Sequence, residues 1–462
     1  MREGNLKAPN TSLCEKMLSH DNLKVAVANV KRNKGSAGVD GMTVNELDEF
    51  IAEGNLTRVV DQILARKYKP KPVKRITIPK DNGGVRLLGV PCVVDRVIQQ
   101  AMVQVLQPEF EPTFSDFSYG FRPRRSAEDA VRQAQSYKAQ GYNYVVDLDL
   151  SKFFDTVNHD LLMGLIDKTM HDKDIRRLIF EYLKAGVMIG EAFAETEEGT
   201  PQGGPLSPLL SNIYLTPYDK ELERRGHKFV RYADDCNIFV KSKYSAKRVK
   251  ENVTRFLENK MKLKVNKEKT EARTFTGSKF LGFTFTGGHN KENNLCTCRP
   301  KDGKIEEFKR RVREITKRNR GARASIVITE LNQYIRGWMN YYARSSMSST
   351  IRSLAQWVRR RVRQYLWKQW KTASNRKEKL LKLGASRREV DKFIAWSNNN
   401  HWLMAKTIAR RMFTNKLLHE NMKNIEAANL VNIEETWKEM HAKKMKRDKD
   451  YFETMEVVRA YI

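Results

Sequence analysis

Residues 23–30 carry apolar side chains at helical spacing, and a glycine-rich turn follows at Gly35-Ser36-Ala37-Gly38-Val39-Asp40-Gly41. Two apolar-alternating segments, 75–79 and 85–90, flank Lys80-Asp81-Asn82-Gly83-Gly84, which is the pattern of a β-hairpin. Further on, 142–150 reads as a buried strand, 160–167 as the start of a helix, 229–240 as a hairpin and 280–285 as another short strand. Residues 301–380 change to amphipathic helix, with Tyr334, Trp338, Tyr341, Leu354, Trp357, Tyr365, Trp367 and Trp370 set among basic residues. Strands mixed with helices, then helices alone, predict an α+β core followed by an all-helical region.

The chain has 462 residues, enough for several domains that each bury a core, and its 40% hydrophobic content argues against a disordered basic tail. Lysine and arginine total 86 against 55 acidic residues, a formal charge of +31, which points to a polyanionic partner. Nucleic acid and an anionic membrane both qualify. The excess is concentrated: residues 301–380 hold 22 Lys/Arg against 6 Asp/Glu. Each aromatic there, taken singly, reads as packing, but the imbalance of sign over the segment favours a phosphate-binding surface. No apolar run approaches the roughly 18–20 residues of a membrane span, and no signal core follows the N-terminus, so neither export nor membrane insertion is expected. The five cysteines form no CxxC pair, Cys296 and Cys298 read as free thiols in a loop, and the pattern fits a reducing cytoplasm.

The chemistry sits on acids. Tyr232-Ala233-Asp234-Asp235 places two carboxylates at a tight turn between β-prone arms. An Asp-Asp pair by itself is ordinary turn chemistry, since the side chains bond nearby backbone. A second acid-bearing strand end, Val145-Val146-Asp147-Leu148-Asp149-Leu150, changes the reading. Carboxylates held about 4 Å apart repel by roughly 4 kcal/mol at an effective dielectric near 20, so clustering them calls for a cation. Mg²⁺, with its preference for hard oxygen ligands and substrate phosphates, is the natural one. His159, just after Asn158, reads as a helix-start residue rather than a catalytic base.

Tyr232-Ala233-Asp234-Asp235 resembles the YxDD box of reverse transcriptases, and Asp149-Leu150-Ser151-Lys152-Phe153-Phe154-Asp155 resembles their first catalytic strand. Thr200-Pro201-Gln202-Gly203-Gly204-Pro205-Leu206-Ser207-Pro208 is similar to the loop that opens the helix between them. Gly38-Val39-Asp40-Gly41, Ile78-Pro79-Lys80, Tyr119-Gly120-Phe121-Arg122-Pro123, Lys264-Val265-Asn266-Lys267-Glu268-Lys269-Thr270 and Phe280-Leu281-Gly282-Phe283 add further ordered matches. Together, from about residue 13 to about 425, they resemble a bacterial group II intron reverse transcriptase/maturase of the compact class C kind.

The resemblance implies a right-hand polymerase. Residues 1–140 would be the N-terminal extension and fingers, 141–300 the palm with part of the fingers, 301–375 a helical thumb or X (maturase) domain, and 376–462 a DNA-binding region with an unassigned tail. It further implies that Asp149, Asp234 and Asp235 are catalytic and, with Leu150, hold two Mg²⁺ ions. Asp147 and Asp155 are read as structural neighbours. Phe154 would exclude the 2′-hydroxyl of an incoming nucleotide, and Lys80, Arg86, Arg122 and Gln202 would complete the dNTP site. Arg359, Arg360, Arg361, Arg363 and Lys368 would bind nucleic acid. The implied partners are group II intron RNA, an RNA template with a DNA or RNA primer, target DNA and dNTPs. Paired cysteines and histidines of an HNH endonuclease are not found in the sequence, so second-strand cleavage is not expected. A splicing-only RNA-binding maturase and a domesticated enzyme of repair or defence are the competing readings.

Overall fold

The computed structural model describes residues 12–79, 85–189, 192–194, 198–200, 203–289, 295–397, 417–424 and 429–460. Lys80 and Gln202, both expected at the nucleotide site, lie outside these. The chain divides into two compact units, Met1–Phe275 and Thr276–Ile462. The break falls ahead of the expected palm boundary at 300, because the strands after Phe275 pair and pack with the helices that follow them.

The first unit contains strands β1 (Val73–Pro79), β2 (Val85–Val90), β3 (Tyr144–Leu148), β4 (Val187–Ile189), β5 (Ala192–Ala194), β6 (Lys228–Tyr232), β7 (Asp235–Val240) and β8 (Glu271–Thr274). One sheet runs β2-β1-β4-β5, with the expected β1–β2 hairpin paired from Lys74↔Val90 to Pro79↔Val85. The other runs β6-β7-β3-β8, with β7 and β3 antiparallel at its centre.

Alternation decides what this second sheet buries. Val146 and Leu148 of β3 and Cys236, Ile238 and Val240 of β7 face one large core. The helix Ser207–Arg224 covers it with Leu209 and Ile213, and the helix Lys243–Asn259 with Val249, Val253 and Leu257. Those last three recur at helical spacing, and Ser242 caps that helix by accepting from the Ser245 amide at 3.1 Å. On the opposite face Val145 and Phe239 are buried, with Tyr137 from the helix Ala127–Ala139 5.2 Å from Phe239. A sheet covered on both faces keeps its strand ends in place.

The second unit opens with β9 (Lys279–Phe280), β10 (Phe283–His289) and β11 (Cys296–Pro300). The single strand expected over 280–285 is instead a hairpin: Leu281 and Gly282 turn with positive φ, and Phe283 pairs with Phe280. Cys296 and Cys298 are free, as expected, but lie buried in β11 rather than in a loop. Helices Lys304–Ile315, Ala324–Tyr342, Ser348–Gln369 and Ile433–Ala460 follow. The aromatics of the basic segment mostly pack. Phe308 meets Trp338 at 4.8 Å, Trp338 meets Tyr342 at 4.9 Å, and Trp367 and Trp370 are buried. The final helix belongs to this unit through a fully buried, bidentate Arg344–Asp448 pair. No helix among the described residues is long and apolar enough to cross a membrane.

Candidate active site

Asp149 follows β3 directly, and the register that pairs Leu148 with Cys236 brings the end of β3 to the start of β7, where Asp235 lies. Its backbone is strapped from the side by residues 264–270. The Asn266 amide donates to the Asp149 carbonyl at 2.9 Å, the Ser151 amide donates to the Lys264 carbonyl at 2.8 Å, and the Asp149 amide donates to Thr270 Oγ1 at 3.2 Å. These bonds extend β3 beyond its last ladder pair and fix where the carboxylate leaves the chain.

The Asp234 turn is held just as closely. Tyr232 and Asp235 close the β6–β7 hairpin around Ala233 and Asp234, and Ala233 adopts a left-handed φ of 57°. A non-glycine residue there carries strain that its surroundings must hold. They do: the fully buried Arg231 guanidinium donates to the Ala233 carbonyl at 2.9 Å and to Asn212 Oδ1 at 3.0 Å, and forks onto Asp219 at 2.7 and 2.6 Å. Burial opposes its charge, but the Asp219 carboxylate holds the guanidinium pKa above its usual value. Asn212 in turn donates to the Gly120 carbonyl at 2.9 Å. Gly120 passes so close that a Cβ on it would lie 2.4 Å from the Ala233 amide nitrogen.

A cleft of about 720 Å³ brings these elements together. Asp149, Leu150, Phe154, Asp155 and Asp234 line it, with Lys152, Asn266 and Lys269 on its rim and Pro79, Val85 and Leu87 from the hairpin. Asp235, at the head of β7, is half-buried and does not line this cleft. Asp155 faces it while pairing with Arg75 at 3.7 Å, and Asp147 sits within β3.

The sequence matches the reverse transcriptase (RNA-dependent DNA polymerase) family over residues 78–285 and the group II intron maturase-specific domain over residues 305–384. It is 34% identical over 273 residues to protein YkfC of Escherichia coli K12, covering 51% of this chain and 71% of that one. It is 30% identical over 365 residues to the group II intron-encoded protein LtrA of Lactococcus lactis subsp. cremoris, covering 64% and 60%. The chain belongs to the group II intron reverse transcriptase/maturase family. It is a reverse transcriptase with an α+β polymerase fold, and it spans about 60% of LtrA's length.

For a group II reverse transcriptase, several residues expected at the site stand elsewhere. Arg122 is buried, paired with Glu111 at 2.7 Å and bonded to the Ser115 and Ser118 carbonyls. Its guanidinium is engaged by the loop that carries Gly120 and does not line the cleft. Gly203 and Gly204 close on the protein itself: a Cβ at Gly203 would lie 2.5 Å from the Gly89 carbonyl, and one at Gly204 2.5 Å from Gln99 Oε1. Arg86 lies in β2 across from Ile78, its side chain outside the described residues.

Among the expected nucleic-acid contacts, Arg359 and Arg363 are buried, Arg359 pairing with Glu434 at 3.2 Å. They share the helix side of Ala355, Val362 and Leu366, a spacing that is readable in the sequence. Arg361 donates to Thr316 Oγ1 at 3.0 Å and to its carbonyl at 3.1 Å. Arg359 and Arg363 thus point into the unit, because a helix inside a unit turns one face inward whatever its net charge, whereas Arg361 is half-buried on another side of the helix. Arg360 is half-buried, and Lys368 is exposed.

Three residues of the cleft, Lys152, Asn266 and Lys269, fall within the sequence motifs without being singled out by them. Lys269 Nζ stands 3.9 Å from Asp149 Oδ2. Arg231, Asp219 and Asn212 leave no local signal in the sequence. Their importance comes from convergence across the fold.

Proposed function

We propose that this chain copies RNA into DNA by nucleotidyl transfer at the Asp149–Asp234 cleft, and that its helical unit binds intron RNA to assist splicing and mobility. The observation that carries this is the convergence of Asp149, Asp234 and Phe154 on one cleft from separate parts of the chain. Among the described residues no group of three His, Cys, Asp or Glu side chains is placed to hold a metal alone. Asp149 and Asp234 on one cleft would suit Mg²⁺, which takes one or two carboxylates and completes its shell with water and substrate phosphates. Lys269 beside Asp149 already answers the same negative charge.

Asp149, Asp234 and the Leu150 carbonyl would hold the metal, with Asp235 behind them adding negative charge. A pair of bound Mg²⁺ ions would favour ionisation of the primer 3′-hydroxyl and stabilise the departing pyrophosphate. The protein's own task is placement. Lys269 and Lys152 would meet the triphosphate at the rim, and Lys80 and Arg86 of the hairpin would add to them. Gln202 would reach the nucleotide from the loop before the Ser207–Arg224 helix. Phe154 would lie under the sugar, where an aromatic ring leaves no room for a 2′-hydroxyl. Lys368, and Arg360 in part, would contact phosphates of structured RNA or target DNA, a grip that duplex shape and charge are enough to provide.

Primer extension on an RNA template tests this, run with dNTPs and separately with NTPs. The intact chain is expected to extend a DNA or RNA primer with dNTPs alone, and Phe154→Ala to accept ribonucleotides as well. No extension by the intact chain with Mg²⁺ present would defeat the proposal. Unchanged sugar selection in Phe154→Ala would remove that residue from it.

A further inference from the structure

Phe154 is not held by its own segment alone. Residues 198–200 lie against 154–158 as a short added strand: Glu198 bridges Asn158, the Gly199 amide donates to the Val157 carbonyl at 2.8 Å, and the Thr200 amide donates to the Phe154 carbonyl at 2.6 Å. The approach is close enough to require glycine. Gly199 has φ 96°, and a Cβ there would lie 2.8 Å from the Phe154 carbonyl oxygen and 3.0 Å from Asp155 Cα.

His159 closes the arrangement from the other side. It is 4% exposed at the start of the helix His159–Asp167, which Asn158 caps by accepting from the Leu161 amide at 2.9 Å. Its Nε2 stands 2.7 Å from the Gly199 carbonyl. A carbonyl only accepts, so Nε2 carries the hydrogen. Nδ1 is buried without a partner, which leaves the neutral ring as the form that fits, and burial lowers the ring's pKa in the same sense. The lone pair left on Nδ1 is buried and does not face the cleft, so the ring is not placed to act as a general base. It is equipped to hold Gly199.

We infer that His159 is a positioning residue for sugar selection: by holding the Gly199 carbonyl it keeps Thr200 bonded to Phe154 and so sets how far the Phe154 ring enters the cleft. The inference rests on the reading of Phe154 as the sugar gate. A lost hydrogen bond would let residues 198–200 retreat and free the Phe154 backbone, widening the space left for a ribose.

Single-nucleotide incorporation with dNTP and with the matching NTP gives the selection ratio, measured for the intact chain, His159→Leu, His159→Gln, Phe154→Ala and the His159→Leu/Phe154→Ala double variant. His159→Leu is expected to lower the ratio about tenfold, the scale of one hydrogen bond worth about 1.4 kcal/mol. His159→Gln, whose amide can reach the same carbonyl, should keep most of the ratio. The double variant should be no less selective than Phe154→Ala alone. A relaxed Phe154→Ala beside an unchanged His159→Leu would overturn the inference and leave the gate standing. An unrelaxed Phe154→Ala would instead overturn the gate, and the inference with it. Should His159→Leu fold poorly, Gly199→Ala presses on the Phe154 carbonyl from the other side and is expected to lower the ratio too. Unchanged selection there counts against the inference equally.

Discussion

Asp234→Asn is expected to abolish primer extension on an RNA template with Mg²⁺, lowering the rate by about 10³ or more, which corresponds to roughly 4 kcal/mol of lost transition-state stabilisation. RNA binding should stay nearly intact. The expected effect is large because the substitution removes the charge proposed to hold the metal, while an amide of the same shape still fits the turn. Two independent supports hold that turn in either variant: Arg231 on the Ala233 carbonyl and the Tyr232–Asp235 pair. Single-turnover extension with a binding isotherm measured in parallel checks both halves. Extension at the normal rate would remove Asp234 from the catalytic assignment.

Gly120→Ala is the second large effect, and it touches no substrate. The new methyl would lie 2.4 Å from the Ala233 amide nitrogen and 3.0 Å from the Tyr232 carbonyl carbon. Both are backbone atoms of the turn that aims Asp234, so no side-chain rotation relieves the clash. Either the 119–121 backbone or the turn must move. The buried Asn212 bond to the Gly120 carbonyl and the Arg122 bonds to the Ser115 and Ser118 carbonyls resist movement of the first. Overpacking of this kind costs about 1–3 kcal/mol of stability, and a misplacement near 1 Å at a reacting centre costs about 10² in rate. We expect a folded protein with a modestly lowered melting temperature and about a hundredfold slower extension. An unaltered rate would show that the turn tolerates the shift and that its geometry is less exacting than the Arg231 network implies.

Much of this site is legible in the amino-acid sequence. Period-two alternation marks both hairpins, and Tyr232-Ala233-Asp234-Asp235 with Asp149 marks the cleft, because acids at strand ends are costly enough to need a purpose. What stays hidden follows a physical rule. Counting arginines measures field, not direction, and Arg122, Arg359, Arg361 and Arg363 satisfy carbonyls, a carboxylate or the interior of their own units. Their helical spacing from Ala355, Val362 and Leu366 carries the answer for two of them. The 280–285 segment hides a turn because Leu281 adopts a left-handed conformation, φ 47°, that its side chain does not advertise. Gly199 and His159 are 40 residues apart, and nothing in either local pattern announces that they meet.

The proposed nucleotidyl transfer requires Asp149 and Asp234 to bind divalent metal together. Crystals of the full chain with an RNA template, a primer terminated at its 3′ end, the next dNTP and Mn²⁺ in place of Mg²⁺ would show this through the anomalous signal of manganese. Manganese bound to both carboxylates in the cleft that Phe154 lines is the expected result. Manganese bound at Asp234 with Asp149 turned away, still facing Lys269, would contradict it.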